Sequence, residues 1–315
     1  MTDLRTLGDG LPPVSPLTLG GNSLGWGADE DASFQVLDAY VAGGGNHIDT
    51  ANNYSAWVPG HHGGESERVI GRWLASGRRR DEVVIASKVG MAIGEVGGGL
   101  TRDFILREAE GSLERLQTDR IDLYYAHEDD PATPLAETLG AFAELLDQGM
   151  VGAVAASNYP AARLAEAREL AEREGLPRFV AYQGHYNLIE RDAYEGAVEA
   201  ETAGRGLGTL SYYSLARGFL TGKYRPGRPL PDSPRVPGVT GSYLNERGEA
   251  VLAAVDAVAS ETGASPAQVS LAWLLNRVTS AIASATRPDQ VAELLGAAEV
   301  ELTPDQVERL TASAA

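Results

Sequence analysis

Short apolar runs that end in a polar residue recur along this chain, each followed by a helix-length amphipathic stretch. His47-Ile48-Asp49-Thr50 runs into Ala51-Asn52-Asn53-Tyr54. Val83 to Ser87 ends at Lys88, Ile121 to Ala126 at His127, and Val151 to Ala156 at Ser157-Asn158. Further runs cover 179–183, 208–213 and 280–284, and a weaker one covers 17–20. These runs are apolar on both faces rather than alternating, which is how the strands of a helix-covered parallel sheet read. Eight such strand–helix units in 315 residues fit an α/β fold, a closed (β/α)₈ TIM barrel, best. An open doubly wound sheet is the alternative. No GxGxxG follows an early strand, which counts against the dinucleotide-binding form of that sheet. Neither an internal repeat nor a linker divides the chain, so residues 1–315 are expected to form a single domain.

The helices between the strands carry apolar stripes at helical spacing. They are expected over 32–42, 65–75, 102–116, from Thr133-Pro134 onward, from Pro160, near 192–203, over 246–261 and 266–276, and from Pro288. Thr133 is expected to cap its helix, with Pro134 in the first turn. Ser265-Pro266-Ala267-Gln268 and Thr303-Pro304-Asp305-Gln306 read as capping boxes. Two apolar pieces within 1–16 suggest a short N-terminal hairpin. Residues 217–245 are rich in Gly, Pro and Arg and read as one long loop before an extra helix, a length usually reserved for function or disorder.

Composition removes several function classes. A formal net charge of −18 argues against nucleic acid as a partner. No apolar run is long enough to span a bilayer, and no signal peptide or membrane partner is expected. The absence of cysteine excludes disulfides, thiolate ligands and cysteine nucleophiles, and fits a cytoplasmic protein. In so acidic a chain, the basic residues that fall in loops (Lys88, Arg217, Lys223, Arg287) stand out as candidate anion contacts.

A (β/α)₈ barrel places its active site at the C-terminal ends of its strands. Asp49, Lys88, His127, Asn158 and Gln183 all sit at such ends, and Thr286-Arg287 follows the last strand. Each alone has an ordinary reading as a turn residue, a solvated lysine or a structural histidine. Together they form a chemical set. A carboxylate keeps a neighbouring lysine charged, and an ammonium beside a phenol favours the phenolate. A tyrosine so placed can act as a general acid, and a neutral histidine can orient a carbonyl. Such a set polarises and protonates a C=O but lacks an electron source. Ser157, Asn158 and Gln183 suit the carboxamide of a hydride donor. A metal-dependent barrel hydrolase is the competing reading. No two histidines have the spacing of a metal site, and His61-His62 fall in a glycine-rich loop, so no metal is expected.

These segments resemble the aldo-keto reductase family. Asp49-Thr50-Ala51-Asn52-Asn53-Tyr54 is similar to its Asp-Thr-Ala-x-x-Tyr segment. Gly64-Glu65-Ser66-Glu67, Ser87-Lys88-Val89-Gly90 and Asp122-Leu123-Tyr124-Tyr125-Ala126-His127 follow in order. Ser157-Asn158-Tyr159, Tyr182-Gln183 and the run from Leu215 to Tyr224 complete the match. The resemblance implies a barrel that reduces an aldehyde or ketone with NADPH (NADP+), acting on a small carbonyl or sugar-like molecule. It assigns Tyr54 as proton donor, tuned by Lys88 and Asp49, with His127 orienting the carbonyl. It assigns Ser157, Asn158 and Gln183 to the carboxamide and Tyr212 to the nicotinamide ring, with Tyr213 as a rival. Leu215 and Arg217 fall to the diphosphate, Thr286 and Arg287 to the 2′-phosphate region, and Gln290 to adenine.

Two segments depart from the family pattern. Tyr-Ser-Pro-Leu becomes Tyr212-Tyr213-Ser214-Leu215, losing its proline, and a Pro-Gly turn becomes Ala283-Ser284. Leu294 stands where an asparagine contacts adenine. The preference for NADPH over NADH therefore rests mainly on Arg287. The long C-terminal tail of some members is expected to be missing, leaving Trp26, Trp57, residues 91–100 and residues 217–245 to shape the substrate pocket. A monomer or weak homo-oligomer is expected. An NADPH-binding regulatory or redox-sensing barrel remains the alternative function.

Overall fold

The computed structural model describes residues 3–77, 80–231, 233 and 236–314. Eight parallel strands close on themselves in sequence order. They are β1 (Leu17–Gly20), β2 (His47–Asp49), β3 (Val84–Val89), β4 (Ile121–Ala126), β5 (Val151–Ser157), β6 (Ala181–His185), β7 (Gly208–Tyr212) and β8 (Ser280–Ala283). β1 pairs with both β2 and β8, which shuts the barrel. The outer ring comprises α1 (Glu30–Ala42), α2 (Glu65–Ala75), α3 (Arg102–Leu116), α4 (Leu135–Asp147), α5 (Ala161–Glu174) and α6 (Ala197–Ala203). It continues with α7 (Val236–Tyr243), α8 (Glu246–Thr262), α9 (Pro266–Leu275), α10 (Pro288–Leu295) and α11 (Pro304–Ala312). Among the described residues no helix is long and apolar enough to cross a membrane.

Side chains step by two along a strand, so alternate residues point inward. Register then fixes which ones meet. Asp49 is level with Ala86, Lys88 with Tyr125, Tyr125 with Ala155, Ser157 with Gln183, and His185 with Tyr212. The inner apolar filling is Val84, Ala86, Leu123, Tyr125, Ala153, Ala155, Ala181, Leu210 and Ile282. One step further along the same strands come the polar residues of the mouth.

The short N-terminal hairpin is present as an antiparallel bridge between Arg5 and Val14, with backbone bonds of 2.7 and 2.9 Å. It carries Leu7 and Val14 into the inner filling at the strand starts. Gly208 permits this contact, since a Cβ there would lie 1.9 Å from the Leu7 carbonyl oxygen. Both capping boxes form, Ser265 with Gln268 and Thr303 with Gln306.

Two expectations are corrected. Thr133 does not cap α4; its hydroxyl donates to Asp130 (2.6 Å), and the helix opens after Pro134. Residues 217–245 are not one loop. They contain most of a 3-10 turn over Ala216–Thr221 and the helix α7, while residues 232, 234 and 235 of that stretch, like residues 1 and 2 of the hairpin, lie outside the described residues.

Candidate active site

The end of β2 is held from both sides. Thr50 donates its N–H to Ala86 O (2.8 Å) and its hydroxyl to Ser66 (2.8 Å). Asn52 donates to Glu108 (3.0 Å). Glu67 is fully buried and accepts from Ser87 and from Arg115 Nε (2.6 Å), tying α2 to β3 and α3. The Gly64-Glu65-Ser66-Glu67 segment thus braces the strand ends rather than taking part in the site.

Inside the mouth, four side chains form one hydrogen-bonded network. Lys88 Nζ donates to Asp49 Oδ2 (2.6 Å), Thr50 O (2.8 Å) and Tyr54 Oη (2.9 Å). These three acceptors match the three N–H groups of an ammonium. The Tyr54 hydroxyl donates to Asp49 Oδ2 (3.1 Å), and Gln183 Nε2 donates to Asp49 Oδ1 (2.8 Å). Both oxygens of Asp49 are therefore engaged. Lys88 is completely buried, and its pKa is lowered by desolvation, against which Asp49 works. The Tyr54 phenol is raised well above its ordinary value, by burial first and then by Asp49. In this structure the phenol keeps its proton. Burial thus outweighs the acidifying effect expected of the ammonium, and Lys88 Nζ, 2.9 Å away, is placed to stabilise charge on Tyr54 Oη as a proton leaves.

His127 stands beside this network, its ring centroid 6.2 Å from that of Tyr54. Desolvation, and then the Lys88 charge, push it well below the usual imidazole range, so it is neutral near pH 7. Its Nδ1 is buried without a partner among the described residues. Trp57, 53% exposed, packs edge-on against Tyr54 and Trp26, each at 6.1 Å. Trp26 is anchored through Nε1 to Asn22 O. These aromatic rings form a wall leading to the Tyr54 hydroxyl. A neutral histidine, a protonated phenol backed by an ammonium, and an apolar wall can together orient a carbonyl oxygen and protonate it.

On the other side of the mouth, Asn158 has a left-handed backbone (φ 56°) and donates Nδ2 to His127 O (2.9 Å) and to Ser157 Oγ (3.1 Å). Its Oδ1 accepts the Tyr212 hydroxyl (2.7 Å). Among the described residues, six non-glycine residues have φ above zero; all but Gln117 lie on mouth loops, namely Ser55, Asn158, Tyr213, Ala216 and Arg217. Strained backbone of this kind concentrates at functional sites. Arg217 lies over the Tyr213 ring (4.9 Å) and against Gly238 of α7. Tyr213 is 40% exposed, while Tyr212 is turned toward Asn158, which favours Tyr212 as the inward tyrosine. Gln183 lies where expected, but its amide nitrogen is committed to Asp49. Leu215 is the N-cap residue of the 3-10 turn and packs partly buried against the core. Thr286 donates its N–H to Gln290 Oε1 (2.8 Å). Arg287 is the exposed N-cap of α10 and pairs bidentately with Asp289 (3.0 and 2.9 Å).

Sequence reasoning missed His185 and Glu190. His185 is two residues beyond Gln183, the next inward position of β6, so strand parity alone marks it as a mouth residue. Its Nε2 bonds Glu190 Oε2 at 2.8 Å. Desolvation raises the Glu190 carboxyl, yet hydrogen bonds from His185, Asn187 and Tyr243 outweigh it and bring it down to about 2.

Comparison with known proteins agrees with this geometry. The sequence model of the Aldo/keto reductase family matches residues 16–315. The uncharacterized oxidoreductase YrpG of Bacillus subtilis (strain 168) is 34% identical over 298 residues, covering 92% of this chain and 89% of that protein. L-glyceraldehyde 3-phosphate reductase of Escherichia coli (strain K12) is 33% identical over 258 residues, 78% of this chain and 73% of that protein. A probable voltage-gated potassium channel subunit beta of Oryza sativa subsp. japonica is 31% identical, over 98% of this chain and 95% of that protein. A closed barrel with this mouth, and a family match over nearly its whole length, make this chain an oxidoreductase of the aldo/keto reductase family.

Proposed function

We propose that this protein reduces an aldehyde or ketone to the alcohol with NADPH, reversibly, with Tyr54 delivering the proton. The observation that carries this reading is the buried Asp49–Lys88–Tyr54 network beside a neutral His127. When bound, the reduced nicotinamide supplies a hydride. His127 orients the carbonyl oxygen, and Tyr54 transfers its proton to that oxygen. Lys88 stabilises the phenolate that results, and Asp49, fixed by Gln183, keeps Lys88 charged and aimed.

The residues on the opposite side of the mouth suit such a cofactor. Ser157 offers a hydroxyl and Asn158 the remaining lone pair of its Oδ1 to a carboxamide, and Tyr212 offers the ring face that His185 leaves open. Leu215 and Arg217 sit on the strained turn expected at the diphosphate. Thr286, Arg287 and Gln290 cluster at the start of α10, where a 2′-phosphate and adenine would lie, and a helix N-terminus favours the anion. Trp26 and Trp57 line the substrate side. The substrate class is a small carbonyl or sugar-like molecule, and the setting is cytoplasmic, with the protein a monomer or weak homo-oligomer in one barrel domain.

The resemblance to a channel beta subunit favours a second reading, a barrel that binds NADPH as a regulator. Oxidation of NADPH and of NADH across a panel of aldehydes, ketones and sugars separates the two. Turnover with NADPH is expected. NADPH that binds but is never oxidised by any member of the panel would favour the regulatory reading.

A further inference from the structure

Outside the Asp49–Lys88–Tyr54 network, three segments meet at one carboxylate. Glu190 Oε2 accepts from His185 Nε2 (2.8 Å), Asn187 Nδ2 (2.9 Å) and the Tyr243 hydroxyl (2.7 Å). These donors come from the end of β6, the loop after it, and α7. Asn187 Oδ1 accepts the N–H groups of Ile189 and Glu190 (2.9 Å each), and its Nδ2 also reaches Tyr213 O (3.1 Å). A lone half-exposed pair would contribute little. Here the carboxylate sits on a loop pinned by its own hydrogen bonds and receives three side-chain donors, so its position is set.

His185 turns that fixed point toward the mouth. It is in register with Tyr212, and its ring lies nearly flat on the Tyr212 ring, centroids 5.2 Å apart and planes 17° apart. Tyr213 packs edge-on against both rings at 5.3 Å. Tyr212 is thus held by Asn158 at its hydroxyl, by His185 across its ring face and by Tyr213 edge-on. Without His185, the Tyr212 ring loses its stacking partner, leaving Tyr213 at an edge and Asn158 at the hydroxyl, and Glu190 loses the donor that links it to the barrel interior.

We propose that His185, clamped by Glu190, is a positioning residue that fixes the plane of Tyr212 and thereby sets the affinity for the nicotinamide half of the cofactor. This rests on the reading that Tyr212 adjoins the nicotinamide ring. His185 itself has no step in the chemistry.

The test compares His185→Ala, His185→Phe, Tyr212→Ala and the double variant His185→Ala/Tyr212→Ala in the full chain. The NADPH dissociation constant is read from quenching of tryptophan fluorescence, and kcat and KM from aldehyde reduction. His185→Ala should weaken NADPH binding by about 2- to 10-fold, the range of one aromatic pair, with kcat at saturating NADPH within about twofold of wild type. His185→Phe keeps a flat face and should recover most of the lost affinity. In the Tyr212→Ala background His185→Ala should have little further effect, because interacting residues are not additive. Should His185→Ala not fold, judged by its melting curve, His185→Phe and His185→Asn carry the comparison, the phenylalanine binding NADPH more tightly than the asparagine. Unchanged NADPH affinity in His185→Ala while Tyr212→Ala weakens it would overturn the proposal, as would full additivity in the double variant. If Tyr212→Ala leaves NADPH affinity unchanged, the assignment of Tyr212 itself fails.

Discussion

Asp49 acquires its role from residues tens of positions away. One of its oxygens takes Lys88 and Tyr54, and the other takes Gln183 from across the barrel. Gln183→Leu removes the amide that donates to Asp49 Oδ1, and a hydrogen bond to a charged group contributes about 1.5–3 kcal/mol. Steady-state kinetics should then show kcat reduced by roughly tenfold, from a carboxylate free to turn away from Lys88. Lys88→Met is harsher. It strands a buried carboxylate, and breaking such a pair costs about 3–5 kcal/mol, measurable by urea unfolding, in addition to lost turnover. The residue types at the strand ends were legible in the sequence. Their partners were not, because a hydrogen bond such as Gln183 to Asp49 spans the barrel and leaves no local pattern. His185 carried a parity signal, but its meaning depends on Glu190 and Tyr212, which only the fold brings together.

At the scale of elements, most boundaries follow from local chemistry. The helix from Glu65 to Ala75 and both capping boxes form as their residue patterns dictate. Thr303→Ala should lower the stability of the terminal helix by about 1 kcal/mol, seen as a small drop in melting temperature. Thr133 shows where the local rule loses: Asp130 competes for its hydroxyl and wins. Helix α7 escaped notice because Val236–Tyr243 contains two glycines and a proline, poor helix formers whose conformation here is set by Tyr243 on Glu190 and by stacking on Phe219. Close helix packing is equally hidden. Gly71 of α2 faces α3 so tightly that a Cβ would lie 2.2 Å from Arg115 O. Gly71→Ala should cost about 1–3 kcal/mol by denaturant unfolding, as overpacking does. Because Gly71 abuts the end of α3 that leads into the start of β4, at the opposite end of the strand from His127, kcat should change by less than about twofold.

At the scale of the whole molecule, the closed barrel turns a strand rhythm into a site. Period-two alternation and parallel register send the last inward residue of successive strands to one mouth. The same burial has a price in acid. His47 lies wholly inside the barrel near the strand starts, with Nδ1 on Thr18 (2.9 Å), and desolvation lowers it to about 4. The unfolded chain takes up a proton below about pH 6.5, while the folded chain keeps this ring neutral. Stability from His47 is therefore complete above about 6.5 and declines toward pH 4, by roughly 3 kcal/mol. His127, depressed for the same reason, adds to the loss over that window. Urea unfolding from pH 7 to 4.5 should show this decline, and His47→Gln should flatten it.

In the proposed reaction Tyr54 delivers the proton from a site whose cofactor grip lies elsewhere. Rapid mixing of an aldehyde with the NADPH complex of the wild type and of Tyr54→Phe tests it most directly. A fall of about 10²- to 10⁴-fold in the rate of NADPH oxidation is expected, the usual contribution of a general acid, with the NADPH dissociation constant within about twofold of wild type. A Tyr54→Phe variant that oxidises NADPH at close to the wild-type rate would contradict it.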